Sequence, residues 1–435
     1  MQLILKVLVT VSVASLPLFA IAASSAPPFD PAQAAQAYLD SLGRDTLERS
    51  NAYFEGGYWL QLWGFLYGVA IAWLLLNTRL SAWMRDQAAR VGKIRLLHDI
   101  LYLVQYFIIT AILGFPLALY EGYFREHAYG LSNLSLAGWL EEEFKGLLIG
   151  TLLGALAFAA IYTVIRRFHQ NWAILGSVVG IAFLAFFIMI SPVFVTPLFN
   201  DYTALEEGPL KEGILSLARA NGIPVDNVYQ FDASKQSNRI SANVSGLLGT
   251  TRISLNDNLL NRSSPATVKA VMAHEMGHYV LGHSTKLLLS FGLVLAGGFA
   301  FMRWGFDRFN RARWGVRDVG DIAGLPLLMI LFSSYMFALT PLTNSIVRSN
   351  ETEADIFGIN ASREPEGFAL GILSLSEYRK MKPGFWEEIL FFDHPSGYNR
   401  IYSAMRWRQE NLPPPAGLPL PTGLPPSTGQ GTQQP

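Results

Sequence analysis

The feature that most limits the fold is a series of long apolar runs. Residues 59–76, 100–119, 147–165, 173–198, 287–304 and 322–342 each hold enough apolar chain to form a membrane-crossing helix. At 1.5 Å of rise per residue, a helix of about 20 residues crosses a hydrocarbon core about 30 Å thick. Buried helices of that length and purity are uncommon in soluble proteins. A seventh run, residues 3–22, is broken only by Lys6 and ends in Ala20-Ile21-Ala22. That small-x-small ending suits a cleaved signal peptide, and the length suits a retained first transmembrane helix. Composition agrees with a multi-span chain: 51% of the 435 residues are hydrophobic and 15% are charged. Lys and Arg balance Asp and Glu at 33 each, so nothing points to nucleic acid. The chain has no cysteine. Disulfides and thiolate metal sites are therefore excluded, and any metal must be held by histidine and carboxylate.

Between the fourth and fifth interior runs the pattern changes. Residues 210–220 predict an amphipathic helix, stopped by Asn221-Gly222 and Pro224. Residues 228–231, 240–244 and 251–255 predict short strands separated by Gly and Ser turns. This is a small α+β piece outside the membrane. A second helical stretch is expected over 349–359, then a polar and aromatic region over 360–411. Residues 412–435 are rich in Pro, Gly, Ser, Thr and Gln, a composition that cannot bury a core and predicts disorder.

The α+β piece closes on His274-Glu275-Met276-Gly277-His278. Residues four apart on a helix lie nearly one above the other, so His274 and His278 can offer two imidazole nitrogens to one metal ion. Glu275 lies on a neighbouring part of that face, where it can serve as a general base. That is the zinc-hydrolase arrangement. Ser263-Ser264-Pro265 supplies a helix start, and Val268, Val271, Met272, Val280 and Leu281 keep helical spacing.

Catalytic zinc takes three protein ligands and leaves one position open. His283 follows His278 by five residues, on a different helical face, which suits a supporting or surface histidine better than a ligand. Glu351 and Asp355, in Arg348-Ser349-Asn350-Glu351-Thr352-Glu353-Ala354-Asp355, share one face. One of the two can bind metal while the other orients a ligating imidazole through its second nitrogen. Two crossings separate the motif helix from Glu351, so both lie at the same membrane face.

These motifs together resemble the type I CAAX prenyl endopeptidase family of integral-membrane zinc metallopeptidases. The resemblance runs along nearly the whole chain. It includes Tyr53-Phe54-Glu55-Gly56-Gly57-Tyr58-Trp59, the segment from Pro192 to Pro197-Leu198-Phe199-Asn200, and the His274-Glu275-x-x-His278 motif with His283 beyond it. It continues through Glu351-x-x-Ala354-Asp355 with Arg348 ahead of it, and His394-Pro395 followed by Arg400-Ile401. The resemblance implies a mainly α, multi-span fold, with about seven transmembrane helices in a barrel around a large chamber. It implies one Zn2+ per chain, held by His274, His278 and Glu351. Glu275 would be the general base, and His394 and Arg400 would stabilise the oxyanion or hold the substrate. Asp355, His283 and Arg348 would support the ligands. Ser241, Ala242, Asn243 and Val244 stand where the family pairs an edge strand with an extended peptide. Val244 and Ser245 depart from the alanine and aromatic of the family pattern.

Four segments follow: 1–23 as signal peptide or first span, 24–200 as a prenyl-protease-type membrane domain, 201–411 as the zinc peptidase domain with two spans, and 412–435 as tail. The expected function is a membrane zinc endopeptidase acting on peptide or protein substrates within a lipid bilayer. The signal-like start and Pro-rich tail suggest a bacterial member engaged in membrane-protein processing or quality control. The alternative is a chamber that binds peptides or lipids around a structural zinc without cleaving them, a role with no need for Glu275. Cytoplasmic loops carry excess Lys and Arg. Arg79, Arg85, Arg90, Lys93 and Arg95, then Arg166 and Arg167, then Arg303, Arg308, Arg311, Arg313 and Arg317 occupy three alternate loops. That distribution predicts an inner-membrane protein whose zinc site faces the periplasm, opposite to the cytosolic site of eukaryotic members.

Overall fold

The computed structural model describes residues 29–245 and 251–413. The expectations for 1–23 and for the tail beyond 413 lie outside the described residues. Local chemistry explains where helices begin. The Asp30 carboxylate accepts from Ala32 N at 2.9 Å, and Pro31 opens α1, Pro31–Asp40. The long helices follow: α2, Arg44–Asn77; α3, Leu80–Val91; α4, Arg95–Leu119; α5, Leu136–Arg167; and α6, Trp172–Ile190. Ser135 caps α5 by accepting from Gly138 N.

The next elements are β1, Tyr202–Ala204; α7, Pro209–Ala220; β2, Val228–Phe231; β3, Ala242–Ser245; β4, Arg252–Asn256; and α8, Asp257–Arg262. Then come α9, Pro265–Val280; α10, His283–Phe309; α11, Leu325–Ala338; α12, Thr340–Ser362; α13, Pro365–Ser374; α14, Phe385–Phe391; and α15, Gly397–Asn411.

Among the described residues, five helices are long and apolar enough to cross a membrane: Arg44–Asn77, Arg95–Ala128, Leu136–Arg167, Trp172–Leu198 and His283–Phe309. The pair Ile322–Ala338 and Thr340–Ser362 makes a sixth candidate, bent by 56°. All six interior apolar runs fall inside these helices. Exposed leucines form stripes on them. Leu148, Leu152 and Leu156 stand at i, i+4 and i+8, more than 45% exposed each, a surface suited to lipid and not to water.

One difference from the sequence reading bears on the site. The stretch 349–359 is not a separate helix. It is the second half of α12, which starts at Thr340 with Pro341 in its first turn. Proline has no N–H to give the preceding turn and crowds its carbonyl, so the bend falls at this junction.

The two ends of the helix bundle are built differently. At one end, the segments after α2, α5 and α10 are locked by charge. Buried Arg85 pairs with buried Asp321 at 2.5 Å, Arg166 pairs with buried Asp99, and Ser81 Oγ donates to Ala323 O at 2.7 Å. At the other end lies a four-stranded sheet in the order β1-β2-β4-β3. β2 and β4 run parallel, and β3 pairs antiparallel with β4, Ala242 opposite Leu255 and Val244 opposite Ile253. Ile214, Val228, Ile253, Leu255, Val268 and Met272 form one apolar core joining α7, the sheet and α9. A second core joins α1 to α13 and α15 through Tyr38, Ile372, Ile401 and Met405. The first and last described helices therefore meet at this end.

Candidate active site

The motif helix α9 starts as its sequence predicts: Ser264 accepts from Thr267 N, with Pro265 in the first turn. Its partner is α12, and small residues set their distance. A Cβ added at Gly358 would lie 2.8 Å from His274 N, and one at Gly277 would lie 3.0 Å from Phe357 and 3.3 Å from the Ala354 backbone. Any larger side chain at Gly358 would force the two helices apart.

This contact brings three donor atoms together. Nε2 of His274 and Nε2 of His278 are 3.1 Å apart. Glu351 Oε2 is 3.3 Å from the first, and Glu351 Oε1 is 3.5 Å from the second. Ligand atoms 2.0–2.1 Å from a tetrahedral ion are separated from one another by roughly 3.3 Å, so the spacing fits a metal ion. Glu351 Oε2 is also buried without a hydrogen-bond donor, although His394 Nε2 lies 3.2 Å away. A buried carboxylate oxygen left without a donor is costly unless a cation completes it.

Each imidazole is held from behind. His274 Nδ1 lies 2.9 Å from Asp355 Oδ1. Arg400 in turn donates to Asp355 through Nε at 2.8 Å and Nη2 at 2.6 Å. Arg400 is buried, and its guanidinium is committed to Asp355. His278 Nδ1 lies 2.9 Å from Nδ1 of His283, whose Nε2 is 3.2 Å from Glu353 Oε2. His283 is not on the motif helix. Gly282, at φ +65°, reverses the chain so that His283 opens α10 and faces back to His278. Arg348 does not touch the donor cluster. It donates to the carbonyls of Glu388 and Phe392, bracing the segment that leads to His394.

Electrostatics separates the roles. Burial pushes the Glu275 carboxyl up to about 7, with the neighbouring Glu351 charge adding to it and His274 opposing it. Burial also lowers His278 to about 4, with His274 adding repulsion. For His274 burial disfavours the charge, yet contacts with Asp355 and Glu351 outweigh it and lift the ring to about 9. The His274 ring thus sits among carboxylates that favour positive charge.

Glu275, His274, Glu351, His394 and Arg400 line one cavity of about 210 Å³ with Ser241 and Ala242 of the β3 edge. Ile240, Leu259, Val271, Phe368, Ile372 and Leu375 give it an apolar wall. Three contributors were not singled out by the sequence: Asp393, which accepts from His394 Nδ1 at 2.8 Å, and Gly358, which carried no signal, and Glu353 behind His283, which carried a faint one. Only the pattern Glu351-x-Glu353-x-Asp355 hinted that successive carboxylates of α12 could serve different histidines.

Comparison with known proteins agrees with this geometry. Residues 204–408 match the model of peptidase family M48, and residues 30–201 match the CAAX prenyl protease N-terminal region, described as five membrane helices. The uncharacterized metalloprotease YhfN of Bacillus subtilis is 29% identical over 358 residues, 80% of this chain and 83% of that protein. CAAX prenyl protease 1 of Saccharomyces cerevisiae is 32% identical over 184 residues, 42% of this chain and 40% of its own. The crystal structure of S. mikatae Ste24p superposes with a TM-score of 0.71 at 21% identity, covering 86% of this chain and 95% of that one. The convergent His-His-Glu donors, the apolar helices and the two matched models lead to one conclusion: the chain belongs to peptidase family M48 and is a multi-pass membrane metalloendopeptidase.

Proposed function

We propose that His274, His278 and Glu351 hold one zinc ion per chain and that Glu275 is the general base of peptide-bond hydrolysis. The observation that carries this reading is the convergence of three donor atoms beside an orphaned carboxylate oxygen, with Glu275 in the same cavity. When bound there, zinc polarises the scissile carbonyl and makes an attacking water more acidic. Glu275 takes the proton of that water and returns it to the leaving amine. His394, oriented by Asp393, reaches the oxyanion or the substrate carbonyl. Arg400 acts through Asp355, which fixes the orientation of His274, and His283 does the same for His278. Arg348 keeps the segment before His394 in place.

The substrate lies as an added strand. Among the described residues, β3 has β4 on one side and no partner on the other. An extended peptide pairs along Ser241, Ala242, Asn243 and Val244 by backbone hydrogen bonds, and the apolar wall accepts a side chain next to the scissile bond. The membrane-capable helices enclose a chamber, and the α+β part of residues 201–411 forms a peptidase domain at one membrane face. The position of the three Arg-rich loops at the bundle's other end supports an inner-membrane orientation with the zinc site in the periplasm. Substrates are then membrane or misfolded proteins. A non-cleaving chamber gives Glu275 no task, so nothing favours it.

Three outcomes test this reading. Glu351→Ala releases zinc, Glu353→Ala keeps most of it, and Asp355→Ala and His283→Ala weaken binding about 10–100-fold, as loss of an orienting partner does. Metal analysis after dialysis against a chelator reads this directly, and full occupancy in Glu351→Ala contradicts the ligand set. Glu275→Gln retains zinc but slows cleavage by about 10²–10⁴-fold, because only the proton acceptor is lost. Metal content and peptide cleavage measured on one sample decide this, and normal turnover removes Glu275 from the mechanism. Finally, a fluorescent protein that matures only in the cytoplasm, fused after residue 412, stays dark, while a phosphatase at the same point is active; the reverse pattern inverts the topology.

A further inference from the structure

Helix α14 has its faces reversed for a helix on a water-exposed surface. Phe385 and Trp386 are 72% and 71% exposed, and Leu390 is 40% exposed. The two carboxylates turn inward instead. Glu387 accepts from Lys380 Nζ at 2.7 Å, from Tyr58 OH at 2.9 Å and from Gly384 N at 3.0 Å. Glu388 accepts from Ser396 N at 2.9 Å and from Asn399 Nδ2. At about 100° per residue, Phe385, Trp386, Ile389 and Leu390 share one side, and Glu387, Glu388 and Phe391 share the other.

The inner side is identified by its contacts. The Phe391 ring stacks on Tyr58 of α2 at 4.0 Å between centroids. Phe391 also lines a cavity of about 430 Å³ between α2 and α12, with Gln61, Thr340 and Asn344 on its walls. The carboxylate side therefore looks into the helix bundle, and the apolar side looks away from it.

The level of this side is set by the same contacts. Asn344, in the first turns of α12 just past the bend, donates to Leu390 O at 3.0 Å. Arg348, one turn further on, donates to Glu388 O at 2.8 Å. Tyr58 directly precedes Trp59, where the apolar run of α2 begins. α14 thus lies where two membrane-crossing segments pass out of hydrocarbon, the level at which aromatic side chains collect. We propose that α14 is an interfacial foot, with Phe385, Trp386 and Leu390 seated in the headgroup–acyl boundary of the leaflet on the metal-site side. The occupant is lipid: the outward face is continuous with the ends of the spans, and the helix has kept its charges on the protein side. Lipid binding of this kind has a consequence for the site. α14 leads through buried Phe392 to Asp393 and His394, so the bilayer fixes the height of one wall of the active cavity.

The absence of native cysteine makes the test direct. Trp386→Cys, and separately Leu390→Cys, are labelled with a nitroxide in the full chain reconstituted into phosphatidylethanolamine–phosphatidylglycerol vesicles. Collision rates with oxygen and with a water-soluble nickel chelate are compared with Arg406→Cys on α15 and with spin-labelled phospholipids. The expected result is an oxygen-to-chelate ratio several-fold above that of the Arg406 position and matching a label near the lipid glycerol. Chelate access equal to the Arg406 position would assign the face to water or to a protein partner. Shielding from both reagents would assign it to the protein interior. Either result at both positions overturns the proposal.

Discussion

The site depends on how closely two helices approach. Gly358 brings α12 against the backbone of His274, and Gly277 lets α9 come equally near Ala354. A methyl group at the first contact would demand a shift of several tenths of an ångström. The donor atoms of His274, His278 and Glu351 lie 3.1–3.5 Å apart, a spacing that such a shift would spoil. Metal geometry here is thus a packing property before it is a property of the ligands. The bend at Leu339–Pro341 serves the same end, because it turns the chain from α11 toward α9 without interrupting α12.

Around that contact the charges are arranged in two opposed lines. Arg400 holds Asp355, which faces His274; Lys286 and His283 both contact Glu353, and His283 faces His278. Each line ends on an imidazole whose other nitrogen points at the shared centre. Removing Arg400 or Asp355 leaves a buried charge unpaired, which costs more than the interaction itself contributes, whereas Lys286 and Glu353 are about half exposed. The opposite end of the bundle uses the same device for a different purpose. Arg85 of α3 with Asp321, and Arg166 of α5 with Asp99 of α4, tie together segments far apart in the chain at the Arg-rich end.

Much of this was legible in the residues. The apolar runs located the five membrane-capable helices and the bent pair among the described residues because period and length act locally. The spacing of His274 and His278, and of Glu351 and Asp355, placed each pair on one helical face for the same reason. Strand 228–231 was read to the residue, while 240–244 and 251–255 were offset by one or two positions. The features that escaped are tertiary. His283 reaches His278 only because Gly282 adopts a left-handed turn, which five residues of spacing cannot reveal. The single helix Thr340–Ser362 was read as a span end and a separate helix, since the hydropathy changes within it although the backbone does not. The commitment of Arg400 to Asp355 rests on how α12 and α15 pack. The inverted faces of α14 gain meaning only once Tyr58 and Asn344 show which side is inside.

In the proposed mechanism α9 and α12 together hold one zinc ion between two imidazoles and a carboxylate. The most direct test is diffraction from crystals of the zinc-loaded protein at wavelengths on either side of the zinc absorption edge. The expected result is a single anomalous peak per chain that vanishes below the edge. That peak should lie about 2.0–2.1 Å from His274 Nε2 and His278 Nε2 and about 2.0–2.2 Å from a Glu351 oxygen. A peak coordinated by His283, Glu353 or His394 in place of Glu351, or no peak between the two helices, would contradict it.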